Sequence, residues 1–129
     1  MAKNTRLDGT DWYGLAAVAV LGIGSWLFRL ETIQPFWTVG ACAAAGRPFF
    51  CAPRQAVLWL QYHQVFGWTA LLFGIAAFVP GQRRLGALAI GLGIAAIVND
   101  NATTGVLGAA LGLYAWIGVK TGRYCQTRA

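Results

Sequence analysis

Four apolar segments, at about 13–30, 55–79, 85–98 and 105–119, leave little of this chain for anything but helices. The first two are long enough to cross a hydrocarbon core of roughly 30 Å at about 1.5 Å per residue. The last two are shorter, about 14 to 15 residues each, or roughly 21–23 Å of helix. Between them lies Asn99-Asp100-Asn101-Ala102-Thr103-Thr104, whose side chains compete for backbone hydrogen bonds and favour caps and turns. The last two segments therefore read as a short helical hairpin, with Thr103 or Thr104 capping its second arm.

Composition sets the class. Of 129 residues, 57% are hydrophobic and 11% charged, where a soluble domain carries roughly 25% charged residues. A domain of this size exposes too much surface to manage with so few charges. The expected fold is an all-α integral membrane protein, one membrane domain of four transmembrane helices. The long outer loop, about 31–54, is the largest region outside the spans.

Orientation follows from the basic residues. With the N-terminus in the cytoplasm, seven of the ten basic residues fall on the inner side: Lys3, Arg6, Arg83, Arg84, Lys120, Arg123 and Arg128. Arg29, Arg47 and Arg54 fall outside. Both termini are thus expected in the cytoplasm, and the host is expected to be a bacterial inner membrane. The net charge of +6 is spread over segment ends, which points to anionic lipid and away from nucleic acid. Arg29 and Glu31, at the outer end of the first span, are expected to snorkel to the headgroups. Trp12, Tyr13, Trp37, Trp59, Trp116 and Tyr124 lie near segment ends, as in an aromatic belt.

Cys42 and Cys51 stand close together in the outer loop, and in an oxidising compartment they can pair as a loop staple. A thiol–disulfide oxidoreductase using the same pair is the alternative, but such relays need a second cysteine pair, and Cys125 is alone. Small residues recur at helical spacing. Gly108 and Gly112 form a GxxxG on the fourth segment, and Ala87, Gly91 and Ala95 form a stripe on the third. They are expected to pack these two helices together or against another chain.

One polar constellation interrupts the spans: Gln61-Tyr62-His63-Gln64, about 12 Å along the second helix counted from Gln55. Polar groups at that depth face protein or water. Gln61 and Gln64 share a helical side by spacing. His63 aligns with Trp59 and Gly67, with Gly67 leaving room beside the imidazole. If the short hairpin ends below the surface, Asn99 or Asp100 meets His63, and the glutamines complete the network.

Such a site can fix the bundle. It can also bind a lipid-soluble ligand. A quinone carbonyl would bond to histidine, glutamine or tyrosine between walls of Trp59, Phe66 and Trp68, and a tetrapyrrole would take the one histidine as its metal ligand. No resident metal site is expected. No GxSxG, HExxH, Walker or GxGxxG pattern occurs. The leading expectation is a small non-catalytic accessory or assembly subunit of a larger membrane complex, respiratory or photosynthetic, in contact with lipid and with other subunits or itself. The alternatives are a quinone- or pigment-binding protein using His63, and a small oligomeric transporter or channel.

Overall fold

The computed structural model describes residues 6–124, and among them helices are the only regular elements, without strands. The elements are α1 (Gly9–Phe28), α2 (Phe36–Ala43), α3 (Cys51–Tyr62), α4 (Val65–Phe78), α5 (Arg83–Val98) and α6 (Ala102–Lys120).

The chain ends of these helices show local causes. Asp8 and Asp11 form a capping box: the Asp8 side chain accepts from the Asp11 N–H at 3.0 Å, and the Asp11 side chain accepts from the Asp8 N–H at 3.2 Å. Two otherwise orphaned donors are satisfied, so α1 starts here. At its other end α1 widens into a single π turn, Arg29–Ile33, with the Gln34 N–H donating to the Arg29 carbonyl at 3.0 Å. Pro35 then leads into α2.

α5 stops because Asp100 adopts a left-handed conformation (φ 61). The Asn101 and Asp100 N–H groups return to the Ala96 and Ile97 carbonyls at 2.8 and 3.3 Å, the paired bonds of a Schellman ending. α6 begins at Asn101, with no side-chain cap from Thr103 or Thr104. Thr104 instead fills the space beside Gly67 of α4. A Cβ on Gly67 would fall 1.9 Å from the Thr104 hydroxyl oxygen, so this glycine makes room for α6 and not for His63.

α4, α5 and α6 pack against one another through bare backbone. A Cβ on Gly74 would lie 2.6 Å from the Gly108 carbonyl oxygen, one on Gly86 2.7 Å from that of Gly112, and one on Gly93 2.6 Å from that of Gly105. α1 lies along α5, where Gly14 meets Ala87, Gly22 meets Ile94, and Gly91 meets Leu21. The small-residue faces are therefore shared out differently from the expectation. Gly112 meets α5, but Gly108 meets α4, and Ala87 and Gly91 receive α1. Ala95 is buried. The reason is that α5 is central and needs a small face on more than one side.

The bundle is inverted relative to a soluble domain. Its buried hydrophobic residues are almost all alanine, while Val20, Trp26, Trp68 and Leu72 are exposed.

Two continuous helical stretches, Gly9–Ile33 and Ala102–Lys120, are long and apolar enough to cross a membrane. The four expected spans are thus reduced to two on this criterion. The expected second helix is two helices, α3 and α4, divided at His63-Gln64, where Gln64 is left-handed (φ 55). The hairpin arms are longer than expected, because the last helix gains Ala102–Thr104 and Lys120, for 19 residues or about 28 Å.

Candidate functional site at the loop end

The bundle has two polar ends. One, the loop end, gathers the α3–α4 break, the α5–α6 turn and the π turn after α1. The other, the terminal end, gathers the start of α1, the start of α5 and the end of α6.

At the loop end, Arg29 leaves the π turn and reaches the end of α5. Its guanidinium donates to the Val98 carbonyl and pairs with Asp100, Nη2 to Oδ2 at 2.9 Å. A cation at the carbonyl end of a helix complements both the free acceptors and the dipole. Arg29 therefore holds α1 to α5 and does not snorkel with Glu31. The Gln61 amide N–H donates to the same Asp100 oxygen at 2.9 Å. The Asn101 amide donates to the Gln61 carbonyl at 3.3 Å, and the Asn99 amide to the Ala95 carbonyl at 2.8 Å. Two acceptor oxygens, Gln61 Oε1 and Asn99 Oδ1, are buried without a partner among the described residues. Asn99 itself is only 2% exposed.

Asp100 thus meets Gln61 and Arg29 instead of His63. His63 is exposed, its ring 4.3 Å from that of Trp59 and 5.3 Å from that of Tyr62. Residues two apart on a helix point roughly 200° apart, so when Gln61 turns inward His63 turns out. The break at Gln64 exposes that residue too and removes it from the side of Gln61. Of the expected site, Gln61, Asn99 and Asp100 come together, whereas Trp59, Tyr62, His63 and Gln64 form an exposed face.

The second polar cluster was not anticipated. At the terminal end Asp11 is fully buried (0% exposed). It accepts from the Trp116 indole N–H at 2.9 Å, pairs with Lys120, and lies 3.4 Å from Arg83. Arg83 also pairs with Asp8 at 2.7 Å, and Lys120 donates to the Arg6 carbonyl at 3.0 Å. The Arg83 hydrogen bond holds the Asp8 carboxyl below the usual carboxylate range. The sequence carries two signals for this cluster: the Asp-x-x-Asp capping pattern, and Trp116 with Lys120 one turn apart on α6. Trp116 is a hydrogen-bond donor here, not merely a belt residue.

Beyond the loop end lies a small cap, α2 and α3, joined by the Cys42–Cys51 disulfide. Arg54 ties it back, Nε donating to the Thr32 carbonyl at 3.0 Å. An open cleft of about 500 Å³ runs beside the disulfide, lined by Arg47, Phe49, Arg54 and Leu58 among others.

Among the described residues no group of three His, Cys, Asp or Glu side chains could hold a metal ion. Cys125, with Lys3 and Arg128 of the basic tally, lies outside the described residues. Chemically, the loop end encloses two acceptors that lack a donor among the described residues, while the terminal end is a closed set of ion pairs. Comparison with protein-family models, with curated proteins and with solved structures returns no match, so function has to be read from the chain's own residues.

Proposed function

We propose that the chain is a small non-catalytic subunit embedded in a membrane, with α1, α4, α5 and α6 as its spans and the α2–α3 cap at the outer face. Seven of the ten basic residues would then lie with both termini on the cytoplasmic side. α4 has 14 residues, or about 21 Å, so its polar break at Gln61–Gln64 would lie in the outer part of the hydrocarbon, with Gln61 turned in to Asp100 and Tyr62, His63 and Gln64 on the exposed side.

The observation that carries the reading is the inversion of the bundle. Its interior is filled by backbone meeting backbone at Gly74–Gly108 and Gly86–Gly112, while the large apolar side chains face outward. Close approach of this kind shuts the seams of α6 with α4 and α5, which weighs against a single-chain transporter with its path between those helices. A protein built this way acts through its exterior, against lipid and against other helices. The test is native mass spectrometry after gentle extraction from the native membrane. Partners of other mass are expected. A lone homo-oligomer would overturn the subunit reading and favour an oligomeric transporter.

A second reading has one observation in its favour, the buried acceptors Gln61 Oε1 and Asn99 Oδ1. They suit a hydroxyl-bearing lipid-soluble molecule, such as the reduced form of a quinone, better than a quinone carbonyl, which is itself an acceptor. Such a ligand should appear by mass spectrometry in the purified protein and be lost in Gln61→Leu.

A further inference from the structure

We propose that the cleft beside the disulfide binds the phosphate headgroup of an anionic phospholipid, and so anchors the α2–α3 cap to the membrane surface. The proposal goes beyond the subunit role but rests on the chain being membrane-embedded.

Three observations converge on it. The first is uncompensated charge. Arg47 and Arg54 both line the cleft, and no acidic residue does. Nor is there any Asp or Glu between Glu31 and Asp100 in the chain. Arg54 commits its Nε to the Thr32 carbonyl, which restricts its guanidinium and leaves the two terminal nitrogens of this cleft-lining residue without a hydrogen bond among the described residues. A planar guanidinium with several donors matches the oxygens of a phosphate, and a phosphodiester supplies the missing negative charge.

The second is the apolar part of the lining. Phe49 and Leu58 share the lining with the arginines, so the cleft offers both the donors a headgroup needs and apolar surface for the start of an acyl chain. A volume of about 500 Å³ accommodates a headgroup but not a whole lipid.

The third is the cap's own surface. Phe49 is 92% exposed and Phe36 90%, with Trp37 also exposed. Trp37 and Phe49 both meet Phe50 edge-on, at ring separations of 5.7 and 6.1 Å, so these aromatics form one rim. Exposed aromatics beside arginines suit the boundary between headgroups and acyl chains, where each ring keeps an apolar body in lipid. The disulfide holds this rim and the arginines in one fixed arrangement.

The experiment uses the full chain, delipidated in detergent and titrated with phosphatidylglycerol or phosphatidylcholine, with lipid adducts counted by native mass spectrometry. Phosphatidylglycerol should be retained preferentially. Its affinity should fall roughly fivefold for Arg47→Gln and again for Arg54→Gln. Arg84→Gln, a charge-matched change at the other end, should have no effect. Because Arg54 also holds the cap, Arg47→Gln alone decides the case if Arg54→Gln loses its disulfide.

Equal retention of the two lipids, or an equal loss in Arg84→Gln, would overturn the headgroup site while leaving the membrane reading intact. Absence of adducts with either lipid would overturn both. Glycerol 1-phosphate competing as well as the lipid would assign the cleft to a soluble phosphate ester and overturn the lipid anchor.

Discussion

The two polar ends of the bundle use similar residues to opposite effect. At the terminal end, Asp11 is fully enclosed and meets an indole N–H, an ammonium and a guanidinium. At the loop end, the Asp100 side chain is 64% exposed and shares one oxygen between Arg29 and Gln61, with two buried acceptors nearby left unmet. The loop end also holds the two described non-glycine residues with positive φ, Gln64 and Asp100. Closure of a network stabilises a fold, whereas unmet groups and left-handed residues raise its free energy and mark places where a ligand or partner can act. The terminal end is read as a clamp, and the loop end as the side on which the protein is available.

That contrast predicts an ordering of stability effects. Asp11→Ala should be the most damaging single change at either end, at about 3 kcal/mol, because it takes the carboxylate from Lys120, the acceptor from the Trp116 N–H and one half of the capping box at once, leaving Arg83 with Asp8 alone. Asp100→Ala should cost only about 1 kcal/mol, since its ion pair is half in solvent. Thermal unfolding in detergent micelles checks both, and equal losses would abolish the distinction between the ends.

Gly14→Ala comes next. A Cβ there would fall 2.7 Å from the Trp116 ring, pushing the indole off Asp11 at a cost of about 1–2 kcal/mol. Combined with Asp11→Ala it should add less than its own full effect, because both break one network. Strict additivity would show that the Trp116 bond contributes nothing.

Gln64→Gly should be stabilising, by up to about 1 kcal/mol, because glycine adopts positive φ without the clash of a Cβ. Destabilisation there would mean that the Gln64 side chain makes a contact worth more than the strain.

The smallest effect is in pH. The Asp8 carboxyl sits below its ordinary range when folded. Its contribution is complete above the unfolded value near pH 4 and is lost as pH falls through the lower folded value. Acid should therefore lower the melting temperature slightly more in the natural protein than in Asp8→Asn.

Several features of the fold were legible in the residues. Runs of apolar side chains without interior proline indicate helices, and Asn99-Asp100-Asn101 and Pro80-Gly81-Gln82 mark the reversals, the latter with Gly81 in a left-handed conformation (φ 70). Cys42 and Cys51, nine residues apart, are joined. The break at His63-Gln64 was hidden because neither residue is a helix breaker. It is held by what α3 and α4 touch, not by their own preferences. Within the candidate site, the region was visible but the partner of Asp100 was not. One residue of displacement around a helix decides whether Gln61 or His63 points inward, and that rotation is set by the break.

Composition and spacing alone determined that the chain is helical, that its charges sit at segment ends, and that small residues form faces along the third and fourth segments. These are local properties, read from side-chain chemistry and a period of about 3.6 residues. Only the tertiary structure decided which small face meets which helix, which carboxylate is buried, and which acceptors go unmet. Glycine and alanine on more than one face of α5 permit close approach in several directions, and nothing in one helix selects among them. The selection comes from the fit of whole surfaces. Arg29 reaches Asp100 across 71 positions and Asp11 reaches Trp116 across 105, and contacts that distant in sequence exist only once the helices have been brought side by side.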